Sequence, residues 1–151
     1  MLHFGMKSPF SYEKFLEIAA GLIPQRDMDI LEKASLKKWQ EFDTALKNEL
    51  VKIRAARRHV DPVKYIRHDG YADPSIAHIA MNAYRTKSII DAEKMLDRER
   101  WNYLDELSAG HYFDIEILII YAIKLLILER WDRIGRSDKK RLLEETLTKK
   151  S

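Results

Sequence analysis

The pair His68-Asp69 is the sharpest catalytic lead in the sequence. Adjacent His and Asp side chains can hold a metal ion that activates water for phosphate hydrolysis, if a more distant His and a second carboxylate complete the set. Here the pair runs straight into Gly70-Tyr71-Ala72-Asp73-Pro74, a stretch that bends the chain instead of fixing both side chains on one helix. His59, the nearest candidate upstream, is too close in sequence for that arrangement. The segment fits better as a turn in which Asp69 accepts hydrogen bonds from neighbouring amides. A metal-dependent phosphohydrolase using His59, His68, Asp69 and His78 is therefore the rival reading and not the leading one.

Other chemistry is sparser. A di-metal carboxylate bundle needs Glu-x-x-His on two helices, and no Glu has a His three residues on. Asp91, Glu93, Asp97 and Glu99 crowd one stretch, but Lys94, Arg98 and Arg100 interleave with them. This reads as surface ion pairs, each contributing a few tenths of a kcal/mol at about the i,i+4 scale. His78 falls near the apolar side of its helix and reads as a packed or hydrogen-bonded histidine. His111 follows a helix C-terminus, where partial negative charge favours imidazolium. Neither has a partner visible in sequence. There is no Gly-x-Ser-x-Gly, the five glycines stand singly, and the chain has no cysteine, which removes disulfides, thiolate zinc sites and Cys nucleophiles together. No catalytic residue, metal ligand or cofactor is expected.

The strongest charge feature is basic. Lys47, Lys52, Arg54, Arg57, Arg58, Lys64 and Arg67 face only Glu49 and Asp61 in their window. Cations at the end of a long helix complement its dipole, and the same cluster suits an acidic protein surface or, less well, phosphates. Few aromatics interleave with the charges, which weakens single-strand binding. The formal net charge of +3 is also small for a nucleic-acid protein. Arg54, Arg57, Arg58, Lys64 and Arg67 are the candidate partner-binding residues.

The elements that must position these residues are all helical. The 151 residues are 46% hydrophobic and 34% charged, the balance of a globular chain. Ser11 caps a first helix ending near Gly21, and Asp27 to Ala34 suits a second. Leu36 to Arg58 forms a third, with Trp39, Phe42, Leu46, Leu50 and Ile53 as one apolar stripe. Asp61-Pro62 and Asp73-Pro74 each place an Asp N-cap before Pro at the first helical position. Ser88 to Ser108 is a long charged helix with Ile89, Ala92, Leu96, Tyr103 and Leu107 as its main stripe, widened by Trp101 and Leu104. Gly110 stands where a left-handed cap is wanted. Asp114 then caps an apolar helix ending near Ile134-Gly135, and Ser137 starts a short charged one with Leu142, Leu143 and Leu147 on one side. Trp39, Trp101, Tyr103 and Trp131 are expected anchors at the core or at helix junctions. Ile117 to Leu128 is too short to span a bilayer, and the opening residues lack the charged start and apolar run expected of a signal peptide. The expected fold is all-α, a single domain over 1–151 of seven or eight helices around a central apolar helix (Asp114-Ile134).

Two stretches together carry a family resemblance. One is the opening M-L-H-F-G-M-K-S-P-F-S-Y-E-K-F-L-E; the other is D91-A-E-K-M-L-D-R-E-R-W101-N-Y-L-D-E-L, followed by an apolar helix ending L128-E-R-W131. This pattern resembles domain of unknown function 2764 (DUF2764), a family of uncharacterised bacterial proteins whose genes lie inside V-type ATPase operons and which has been suggested to replace the C (or d) subunit. Family members are longer and begin with a Tyr- and Leu-rich strand ahead of the Met-Leu, so the chain is read as a single helical domain or as a fragment of a longer protein. The resemblance implies a non-catalytic helical accessory subunit of a rotary ATPase. Its partners would be the protein subunits of that membrane-bound machine, and it would lie in the cytoplasm, peripheral to the inner membrane through the complex.

Overall fold

The computed structural model describes residues 1–111 and 114–149, the last by its backbone alone. Six α-helices carry the described residues: α1 (Tyr12–Ala20), α2 (Gln25–Glu32), α3 (Lys37–Arg58), α4 (Pro74–Arg85), α5 (Ile89–Ser108) and α6 (Ile115–Lys149). A 3-10 turn at Pro62–Lys64 is the one other helical element among them, and no strand occurs. The all-α class is as expected; the count of seven or eight helices is not.

Helix starts follow local chemistry closely. Ser11, Asp73, Ser88 and Asp114 each accept a hydrogen bond from a first-turn amide, those of Lys14, Ser75, Asp91 and Ile117. Asp61 does the same for Val63, yet Asp61-Pro62 yields only the three-residue 3-10 turn. The larger correction concerns the end of the chain, where the two expected helices are one. α6 runs through Gly135 and Ser137 for 35 residues. Gly135 does not take a positive φ, and a helical glycine costs only about 1 kcal/mol against alanine. Strong helix formers on both sides absorb that cost. Gly110 does take the left-handed conformation, with φ at 83°.

The chain divides into two compact units, Met1–Ser35 with Gly110–Ser151, and Leu36–Ala109. In the first, α1 and α2 pack on α6. The expected apolar segment supplies the interior through Ile119, Ile120, Ala122, Ile123, Leu125, Ile127 and Leu128. The N-terminal segment ahead of α1 is tied to the same helix. The Ser8 and Tyr12 amides donate to Asp132 and Glu129, at 3.1 and 2.7 Å, while Phe10 and Phe15 lie against Tyr121. Trp131 is half-buried with the Arg130 guanidinium over its ring.

The second unit is α3, α4 and α5. Phe42 and Leu46 of α3, Ala80 and Ala83 of α4 and Leu96 of α5 form its core, flanked by Trp39, Leu50, Ile53 and Tyr103 from the predicted stripes. The small residues of α4 let its backbone lie close to its neighbours. Phe42 and Tyr103 stack at 4.1 Å between ring centroids, tilted by only 9°. α5 is rotated from its expected register: Ile89 is 81% exposed, and the buried positions are Leu96, Asp97, Trp101 and Leu104. Trp101 and Leu104 are thus the centre of the inward face and not its margin.

Candidate partner-binding site

The charges of α5 are not a uniform solvated face. Asp97 is buried, and Arg100 reaches it through Nη1 at 2.8 Å while donating from Nε to Asp43 of α3 at 3.0 Å. Lys47 closes the far side of Asp43 at 2.6 Å. Burial works against the charged guanidinium of Arg100, but Asp43 and Asp97 outweigh it and hold its pKa above the ordinary value. The result is an alternating chain of charges, Lys47, Asp43, Arg100 and Asp97, that joins α3 to α5. Its across-helix half was illegible in sequence, because Asp43 and Arg100 lie 57 residues apart.

One turn further along α3, two side chains clasp the connection to α4. Buried Asn48 accepts from the Arg67 amide at 3.0 Å and donates to its carbonyl at 2.9 Å. Lys52, paired with Glu49, donates to the Gly70 carbonyl at 2.7 Å. Gly70 is required twice over: its φ is +74°, and a Cβ there would meet Ile66 at 2.9 Å. These contacts fix the turn at His68 and Asp69, and Asp69 accepts from the Tyr71 amide as expected. His68 itself is left-handed, with φ at 61°.

The clasp forms one wall of an open groove of about 920 Å³. Its other walls are α3 from Lys38 to Asn48, α5 from Glu99 to Glu106, and the first turns of α4. Phe42, Ile76, Ile79 and Tyr103 lie within it, while Glu41, Asp69, Asp73, Glu99 and Glu106 outnumber Lys38 and Arg67 along it.

The predicted basic residues separate into two groups. Arg54, Arg57 and Arg58 are exposed, share one face of the last turns of α3 by their i, i+3, i+4 spacing, and make no ion pair among the described residues. Lys64 is exposed on the 3-10 turn, which packs against α3. Arg67 belongs instead to the groove. Lys47 and Lys52, with acidic partners, are not free cations at all.

The histidines are not assembled. His59 is the left-handed C-cap of α3, His68 lies on the groove, and His78 is exposed on α4 and not packed as expected. Among the described residues no three His, Asp or Glu side chains gather as a metal ion would require. His111, partnerless by sequence, sits 2.6 Å from Asp114 and 3.1 Å from Glu116. That contact first, and the Ile117 amide second, hold the Asp114 carboxyl below its usual pKa.

A family model described as a protein of unknown function (DUF2764) matches residues 78–149, just under half of the chain. The matched span contains α5 and the Leu128–Trp131 segment that carried the resemblance; the N-terminal stretch lies outside it. No curated protein and no solved structure matches the chain. Among the described residues, no helix is long and apolar enough to cross a membrane.

Proposed function

We propose that the chain is a non-catalytic, helical accessory subunit of a bacterial V-type rotary ATPase, bridging protein partners at the cytoplasmic face of the membrane. The observation that supports this most is the exposed cation set Arg54, Arg57 and Arg58, unpaired among the described residues and extended by Lys64 on the turn that packs against the same helix. A set left without carboxylate partners is available to an acidic protein surface, where opposite charge steers association. The match to DUF2764 over residues 78–149 supports the family from which the ATPase role is drawn. The mechanical demand on such a subunit is to hold its shape under torque, and closely packed helices meet it because dense interiors transmit strain.

The test is affinity capture of the native-length protein from its own membranes, with partners identified by mass spectrometry. Stalk and ring subunits of the rotary ATPase should return with the wild type. They should be lost when Arg54, Arg57, Arg58 and Lys64 are all changed to Glu. Recovery of the bait alone would overturn the coupling role. Undiminished capture by the folded variant would remove the basic set from it.

A further inference from the structure

We propose that the groove of the Leu36–Ala109 unit is a docking site for a cationic amphipathic helix of a protein partner. Its shape comes from unequal helix lengths. α3 and α5 rise about 33 and 30 Å, whereas α4, at about 18 Å, cannot cover the seam between them along its whole length. The uncovered stretch is the groove, and α4 begins at its edge. An incoming helix would continue the layer that α4 starts.

The lining supports a helix more than a compact small molecule. On α3 it recurs at 38, 41, 42, 44, 45 and 48, and on α5 at 99, 102, 103 and 106. Each is one face of a helix at i, i+3, i+4, i+7 spacing. The α3 run alone spans about 15 Å, roughly three turns of a partner helix. This is the helix-in-groove mode, where apolar anchors enter between two ridges. Phe42, Ile76, Ile79 and Tyr103 supply the apolar floor.

Charge selects the occupant. Glu99 and Glu106 make no ion pair among the described residues, and Glu41 has only the distant Lys37 at 3.7 Å. Glu41 and Glu106 line the groove together with Phe42 and Tyr103, and burial first, then these two carboxylates, push the Tyr103 phenol up. The complementary ligand is therefore a helix with an apolar stripe flanked by Lys or Arg. This groove lies apart from the exposed Arg54, Arg57 and Arg58 face, so the two surfaces would bind partners of opposite charge.

The probe is a synthetic helical peptide of about four turns with Leu on one face and Lys beside it, titrated calorimetrically into the full chain at low salt. It should bind, and the double variant Glu99→Gln/Glu106→Gln should weaken it by about tenfold, the scale of two rim charges. Amide shifts should map binding to the groove walls, and Lys87→Gln, at an exposed position outside the groove, should leave affinity unchanged. A Glu-for-Lys peptide, and a Lys peptide scrambled so that its leucines share no face, should bind far more weakly. The proposal is overturned by absent binding, by equal affinity of the scrambled peptide, by indifference to the Glu99/Glu106 change, or by shifts mapping elsewhere.

Discussion

Two clusters of charge in the Leu36–Ala109 unit make opposite use of arginine. Arg100 is enclosed, its guanidinium divided between Asp97 and Asp43. Arg54, Arg57 and Arg58, at the other end of α3, stand exposed and make no ion pair among the described residues. The first arrangement spends desolvation to fix how α3 and α5 meet; the second keeps its charge hydrated and available. The difference shows that a count of basic residues says little until burial and partners are known. Sequence spacing placed both groups on helix surfaces, and only one of them belongs there.

The contrast can be broken most forcefully at Arg100. Arg100→Ala takes the charged Nη1 hydrogen bond from buried Asp97 and should destabilise the fold by about 3 to 5 kcal/mol. Chemical denaturation would measure this. The double variant Asp97→Asn/Arg100→Met should lose clearly less than the sum of the two single changes, since no charge is then stranded. Next in size is Asn48→Ala, which strips both partners from the Arg67 backbone and should cost about 2 kcal/mol. The same denaturation midpoint reports it.

Smaller still are the exposed caps. Asp73 is held below its usual pKa by the Ser75 amide and hydroxyl, and Asp114 by His111 and the Ile117 amide. A depressed folded pKa means that the contribution is present above the ordinary carboxylate value, about 4, and is lost as pH falls through the lower folded value. The Ser75 amide resonance, which reports Asp73 alone, should therefore hold steady from neutral pH downward and move only in that acidic window. Last comes the exposed set: Arg54, Arg57 and Arg58 to Glu should each change stability by no more than about 0.5 kcal/mol. A larger loss in the melting profile would mean that those arginines are structural, and the contrast with Arg100 would collapse.

Much of the fold was legible in the sequence because it rests on local signals. Ser11, Asp73, Ser88 and Asp114 cap where short polar side chains precede helical runs, and the Trp39 to Ile53 stripe faces the core. What escaped depends on distant partners. Nothing near Asp97 marks it as buried, since the Arg100 guanidinium that bonds it is held in turn by Asp43 on another helix. Asn48 is unremarkable in sequence and becomes important only because the backbone of Arg67 returns to it. The groove depends on α4 being shorter than its neighbours, a fact about three helices at once. Gly135 misled for the converse reason, as a local breaker overridden by the helix on both sides.

That uninterrupted last helix has a geometric consequence. Its first half is gripped by α1 and α2, while Leu142, Leu143 and Leu147 near its end remain exposed. With no joint between the two halves, the bearing of those leucines around the axis is set by the buried half, as a key's teeth are set by its shaft. Deleting one residue between Arg133 and Arg141 would leave the gripped half untouched, draw the tip in by about 1.5 Å and swing the leucines through roughly 100°. Angular phase, as much as composition, is thus encoded in the length of this segment.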